Sequence, residues 1–304
     1  MKNISEGKLK GLKNISTRDG FFIITALDHR NSLRKLISPG NPGKVGSKDI
    51  ENLKVEFVRA LAPSSSAVLL DPTYGIPATK KSVRGKCGLI MSLEESDYEE
   101  KNRRRFTELI KDFGVKELKK MNADAAKILL YYRPDDASSK VQLELVREVA
   151  EECKNQDVAF VCEPFVYPIK GEEDFDKEFP SMVIETAKQI SKLGIDVLKV
   201  QFPGKVELFS SADLESNCRE LGKVCEVPWV LLSGGAKYED FKRQVEIASG
   251  CGASGIMVGR ALWQEAFENS SSENILKFVR TEAVKRLNRL SLIAKEGVPW
   301  TDIC

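Results

Sequence analysis

Eight short aliphatic runs punctuate this chain, and each leads into a longer stretch of mixed polar and apolar residues. The runs are Phe21–Asp28, Ser66–Asp71, Gly88–Glu94, Ala125–Tyr132, Ala159–Phe165, Val197–Pro203, Trp229–Gly235 and Gly255–Arg260. They are nearly continuous in apolar residues, the mark of strands covered on both faces. In the third run, Met91 to Glu94 also reads as the start of a loop. Helical spacing of apolar residues follows in Asp49–Ala62, Lys140–Asn155, Pro180–Lys192 and Tyr238–Ser249, and again in Ser272–Lys295. In Lys140–Asn155 it sets Val141, Leu143, Val146 and Val149 near one face.

Strands alternating with helices imply a parallel sheet with helices outside, and eight such units imply closure. The expected fold is α/β, a single (β/α)8 TIM barrel spanning residues 1–304, with an N-terminal extension 1–20 and a C-terminal helical layer 272–304. The chain's 304 residues suit one such barrel. The Gly/Pro-rich segment Pro39–Lys48 reads as a surface connection after strand one.

Composition removes several function classes. A net charge of +2 provides no overall field for nucleic acid or an anionic membrane, so neither is expected as a partner. No run approaches the ~18 apolar residues of a membrane span. The polar start, MKNISEGKLKGLKNIS, lacks a signal peptide's apolar centre, so a cytoplasmic protein is expected. The seven cysteines, Cys304 among them, are widely spaced with no C-x-x-C pair, which favours reduced thiols packed as small hydrophobes. His29 is the only histidine, whereas catalytic zinc sites generally take two or three. No metal and no cofactor is expected. No G-x-S-x-G elbow exists either.

In such barrels the chemistry lies at the C-terminal ends of the strands. Polar residues late in the runs are Asp28, Lys127, Glu163, Lys199, Ser233 and Arg260. Lys199 stands in the apolar segment DVLKVQF. Burial disfavours an ammonium, and a neutral amine attacks a carbonyl to form a Schiff base. The plain alternative is a lysine paired with a strand-end carboxylate. Lys127, two strands earlier, admits two readings: a second cation that tunes Lys199 or binds substrate oxygen, and a structural partner for Glu163. Glu163 lies on the intervening strand, placed for proton transfer. Pro164 holds it in extended geometry. Asp28 ends strand one and is a candidate hydroxyl binder, with a helix cap or a pair with Arg30 as alternatives. His29 is expected to point the opposite way and is not taken as catalytic. Ser233, Gly234 and Gly235 end strand seven, while Gly259 and Arg260 end strand eight. Backbone N–H groups there approach an anion, and Arg260 adds a forked donor.

Taken in order, ALDHR, LLDPTYGIPA, ADAAKILLYY, DVLKVQFP, LLSGGA and VGRALW resemble the class I tagatose-1,6-bisphosphate aldolase family, which includes sulfofructose-phosphate aldolases. The resemblance runs from Phe21 into the C-terminal helices. It implies a Schiff-base lysine matched by Lys199, an acid/base glutamate matched by Glu163, and companions matched by Lys127 and Asp28. It also implies phosphate binding by Ser233, Gly234, Gly235, Gly259 and Arg260. The implied products are dihydroxyacetone phosphate and a three-carbon aldehyde. Two departures bear on the substrate more than on the mechanism: His29 replaces the glutamine of ALDQR, and Ser233-Gly234-Gly235 replaces an S-A-G pattern. Two other functions share these features. One is a transaldolase with the same lysine; the other is a sugar-phosphate-binding regulatory barrel with weak catalysis. A homo-oligomer is the default expectation for such barrels.

Overall fold

The structure, a computed structural model, describes residues 4–80, 87–95, 99–101, 103–268 and 271–303. Eight parallel strands close into a barrel: β1 (Phe22–Ala26), β2 (Ala67–Leu70), β3 (Gly88–Ser92), β4 (Ala125–Tyr132), β5 (Ala159–Val166), β6 (Val197–Val200), β7 (Trp229–Leu232) and β8 (Gly255–Val258). Around the ring the order is β1-β8-β7-β6-β5-β4-β3-β2. After β3 the chain makes a small antiparallel hairpin, Glu99–Lys101 with Arg104–Phe106. No helix among the described residues is long and apolar enough to cross a membrane.

The two-residue period of a strand sorts side chains onto two faces. Ile23, Val68, Leu89, Ile128, Phe160, Leu198 and Leu231 point outward and pack under the helices. Ile24, Ala67, Leu69, Ile90, Ala125, Val161, Val197, Val230 and Met257 form a separate apolar plug inside the barrel. Continuing the inward parity by one step toward the C-terminal ends reaches Ser92, Lys127, Glu163, Lys199, Leu232 and Gly259, and Asp28, just past the end of β1, joins them through Lys127. The barrel interior therefore changes from hydrocarbon to mostly polar groups within one layer, and that layer is the floor of the site.

The N-terminal segment expected as an extension seals the other mouth. In helix Glu6–Ile15, Leu12 and Ile15 are fully buried against the inner plug beside Phe22 and Trp300. The Phe22 and Trp300 rings stack at 6.4 Å. Gly11 permits this docking, since a Cβ there would lie 2.4 Å from the Asp124 carbonyl oxygen. Among the described residues, Cys153, Cys162, Cys218, Cys225 and Cys251 are free thiols; Cys304 lies outside the described residues.

Two helical expectations need correction. Helix Ser139–Gln156 buries Gln142, Val146, Val149, Ala150 and Cys153, while Val141 is 63% exposed. The face is rotated because buried Gln142 hydrogen-bonds the Arg105 carbonyl of the hairpin. The next helix runs Phe175–Ile190, so Pro180 lies inside it rather than at its start. Packing between Phe175 and Phe179 (5.5 Å) sustains the first turn, against the local preference of proline for a helix start.

Candidate active site

Lys127, Glu163 and Lys199 occupy adjacent strands. Val161 of β5 pairs in register with Lys127 of β4 and with Val197 of β6, so two residues on, Glu163 stands level with Lys199. One oxygen, Glu163 Oε2, lies 2.8 Å from Lys199 Nζ and 2.8 Å from Lys127 Nζ. Lys127 also holds Asp28 Oδ2 at 2.8 Å and Glu94 Oε1 at 2.7 Å. It is 1% exposed, so its charge is balanced by these three carboxylates rather than by water.

This arrangement splits the titration of the groups. Burial alone would lower the Lys127 pKa, but Asp28, Glu163 and Glu94 together lift it well above the usual ammonium range. Lys127 is a fixed cation. Burial would raise Asp28, yet Lys127 and Lys199 hold it well below the usual carboxylate range. Glu94 goes the other way: burial raises it, and Lys127 offsets only part of that. Glu94 Oε2 has no hydrogen-bond partner among the described residues. Of the two sequence readings of Lys127, the geometry shows the pairing with Glu163, whose same oxygen also faces Lys199. The Arg30 alternative for Asp28 does not hold. Arg30 Nη2 instead donates to the Glu94 carbonyl at 2.5 Å, tying the β1 loop to the β3 loop.

The β7 and β8 loops meet beside this cluster. The Gly259 N–H donates to Ser233 Oγ at 3.4 Å. Ser233, Gly234, Gly259 and Arg260 line a cavity of about 320 Å³ that also contains Asp28, Lys127, Glu163 and Lys199. Gly235 is the exception. It does not line the cavity, and the Arg260 guanidinium passes over it: a Cβ on Gly235 would lie 3.0 Å from Arg260 Cζ. With φ at +86°, Gly235 also adopts a backbone conformation that favours glycine. The absence of a side chain at Gly235 is what leaves room for the arginine. Burial lowers the Arg260 pKa, and Arg260 Nε has no partner among the described residues.

His29 is a correction. β1 ends at Ala26, so the alternation that would send His29 away stops, and the imidazole lines the cavity. Its pKa is pushed down to about 3 by burial, with Arg260, Lys199 and Lys54 adding to the effect against Asp28. Glu94, Arg30, Lys35, Arg105 and Tyr131 also line the wall without having been singled out from sequence. Glu94 carried a signal, since it continues the inward parity of Ile90 and Ser92. Arg105 carried none: the hairpin brings it over Tyr131 and Tyr167, at 5.8 and 4.9 Å from the ring centres.

An amine against a carboxylate, a fixed second cation and a cationic rim suit carbonyl chemistry on an anionic substrate. Comparison with known proteins agrees. The chain is 30% identical to a tagatose 1,6-diphosphate aldolase of Listeria monocytogenes, over 99% of this chain and 95% of that protein. It is 28% identical to the Lactococcus lactis enzyme of that name, over 98% and 99% of the two chains. Among solved structures, an archaeal fructose 1,6-bisphosphate aldolase superposes with a TM-score of 0.64 at 22% identity, covering 92% of this chain and 98% of that one. A Schiff-base-forming fructose-1,6-bisphosphate aldolase gives 0.60 at 22% identity, covering 90% and 97%, and shares the fold. The model of the DeoC/LacD family aldolases matches residues 22–265, and the chain belongs to that aldolase family.

Proposed function

We propose that this chain is a class I aldolase that cleaves a ketose 1-phosphate through an imine on Lys199. The supporting observation is the single Glu163 oxygen placed 2.8 Å from both lysine nitrogens. Lys199 transfers a proton to Glu163 and adds to C2 of the ketose. The carbinolamine gains a proton and loses water to give the iminium. Glu163, directly or through water, removes the proton of the C4 hydroxyl. The C4 oxygen forms its carbonyl as the C3–C4 bond breaks, and that electron pair neutralises the iminium as an enamine. The three-carbon aldehyde departs. Protonation at C3 and addition of water then return dihydroxyacetone phosphate and free Lys199. The iminium is the electron sink, so the chemistry calls for no metal. Lys127 stays charged and orients Asp28, Glu94 and Glu163.

The charged ends of the substrate follow from the rim. The 1-phosphate rests on Ser233, Gly234, the Gly259 backbone and Arg260. β8 lies four strands from β4 around the ring, so Arg260 faces the Tyr131–Arg105 side across the cavity. Arg105 therefore suits a second anion at C6. Tagatose 1,6-bisphosphate is the favoured substrate, supported by the names of the relatives. 6-Deoxy-6-sulfofructose 1-phosphate, with the same two anionic ends, is the comparison substrate. The barrel works as one domain in the cytosol.

Incubation with dihydroxyacetone phosphate, borohydride reduction and peptide mass spectrometry test the imine. A stable adduct on Lys199 is expected. Ligand binding without any adduct would leave only a sugar-phosphate-binding barrel. Cleavage rates on the two ketoses, with a lone aldehyde and with an acceptor present, then identify the C6 group and separate an aldolase from a transaldolase.

A further inference from the structure

Helix Ser211–Val224, between β6 and β7, packs one side against the turn that precedes β8. Gly222 makes room for that turn, since a Cβ there would lie 2.1 Å from the Cys251 carbonyl oxygen. The Cys251 thiol points back along the helix, to the Glu215 carbonyl at 3.9 Å. Residues 215, 218 and 222 follow one another at three and four positions, so they share one side of the helix. The Cys251 side chain, running from residue 222 toward residue 215, therefore passes Cys218, and the two thiols share a hydrogen bond.

The two partners are unequal. Cys218 is fully buried. Cys251 is half-buried and lines an open surface cleft of about 400 Å³ with Glu215, Arg219, Arg243 and Glu246. The hydrogen bond from Cys218, aided by the Arg219 charge, brings the Cys251 pKa down to about 7, against burial and Glu215. The same bond, together with burial, pushes the Cys218 pKa up. Thiolate character therefore belongs to Cys251 and the proton to Cys218. Burial raises Cys153, Cys162 and Cys225. An accessible thiolate next to a second thiol has the two properties that make a cysteine sensitive to oxidation.

We propose that Cys251 is a modification site oxidised by hydroperoxides, and that Cys218 resolves it into a reversible disulfide on the outside of the barrel. The Cys251 thiolate attacks the terminal oxygen of the peroxide. The O–O bond breaks, the hydroxide or alkoxide leaves and takes up a proton, and a sulfenic acid remains. The Cys218 sulfur then attacks the Cys251 sulfur. The S–O bond breaks, and the oxygen departs as water with the Cys218 proton. Two thiols lose two electrons and two protons, and the peroxide is reduced to two waters or to water and an alcohol. Residue 251 leads into the N-terminal end of β8, so this site lies at the mouth of the barrel opposite the lysine cluster and is independent of it.

Trypsin puts the three neighbouring cysteines on separate peptides, residues 206–219, 224–237 and 244–260. The full chain is treated with hydrogen peroxide, its remaining thiols are blocked with iodoacetamide, and the digest is read by mass spectrometry without reductant. The expected product joins 206–219 to 244–260 with the loss of two hydrogens, and dithiothreitol separates them again. Before oxidation, iodoacetamide at pH 7 should label Cys251 at least about tenfold faster than Cys218 or Cys225. In Cys218→Ala the resolving thiol is gone, so peroxide should leave a Cys251 sulfenic acid that dimedone traps. Should that variant fail to fold, Cys251→Ser, changed at the half-buried position, should give no disulfide at Cys218. A first oxidation at any other cysteine overturns the proposal, as does a disulfide from 244–260 to a peptide other than 206–219. So do a sulfenic acid that persists on Cys251 in the wild type and labelling of Cys251 no faster than that of Cys225.

Discussion

Lys199 presents its Nζ to Oε2 of Glu163 at 2.8 Å, at the level where β5 and β6 run side by side. A carboxylate in that place can take the proton that must leave the amine before it attacks. Lys199→Met keeps the apolar stem and removes the amine. No ketose cleavage above background and no borohydride adduct are expected, with a circular dichroism spectrum like that of the wild type. Wild-type turnover in this variant would transfer the nucleophile's role elsewhere.

Glu163→Gln retains the shape of the side chain but cannot accept a proton. The cleavage rate should fall by about 10²–10⁴-fold, measured as kcat in a coupled assay that detects dihydroxyacetone phosphate. An effect confined to a higher KM would make Glu163 a binding group and move the proton transfer to another carboxyl on Lys127, such as Glu94.

Lys127 offsets three buried carboxylates, so Lys127→Met leaves them facing one another. The loss of stability at pH 7 is expected to be about 3–5 kcal/mol, as for breaking a buried pair by removing one partner. Without the cation the folded-state pKa values of the carboxylates rise. The folded variant then binds more protons than its unfolded chain as pH falls, and it regains stability. Urea midpoints at pH 7 and pH 5 check the sign: the deficit relative to wild type should shrink at pH 5. An equal deficit at both would mean that the ion cluster is not what the lysine holds.

His29 titrates at about 3 in the folded chain, against an ordinary 6.5. As pH drops below 6.5 the unfolded chain takes up a proton that the folded chain refuses until about pH 3, so this residue costs stability across that window. The slope is at most about 1.4 kcal/mol per pH unit. Glu94, raised by burial, contributes with the opposite sign, so the informative comparison is wild type against His29→Gln, which share it. Between pH 7 and pH 5 the wild-type urea midpoint should fall further than that of His29→Gln. Parallel pH dependence would mean that the imidazole is not held neutral.

Gly235→Ala tests the loop that admits Arg260. The substitution meets both a φ of +86° and a guanidinium 3.0 Å away. It should raise KM for the sugar phosphate about tenfold, the effect of roughly one lost charge-assisted hydrogen bond, with a smaller change in kcat. An unchanged KM would detach the arginine from phosphate binding.

The barrel was legible because its signal is repeated. Eight apolar runs at regular separation point to one architecture, and an error in any one run leaves the others intact. Lys127, Glu163 and Lys199 were legible for a related reason. A charged residue inside an apolar run conflicts with its surroundings, and the two-residue period decides which face it takes. Local errors arose where that period ends or where a tertiary contact outweighs it. Val141 lost its place on the helix face to Gln142, which has the Arg105 carbonyl to bond. His29 was assigned by an alternation that had already stopped at Ala26.

By itself the sequence determined which residues lie on the strand ends and which chemistry they bring. Strand periodicity and apolar patterning are short-range properties, carried by each segment wherever it lies in space. Only the tertiary structure decided that one carboxylate oxygen serves two lysines, that Arg105 from a hairpin joins the cavity, and that Gly235 yields to Arg260 while Gly259 backs His29. Those relationships link residues far apart in the chain whose distances are set by barrel closure and loop packing. No local pattern encodes a distance across a closed ring.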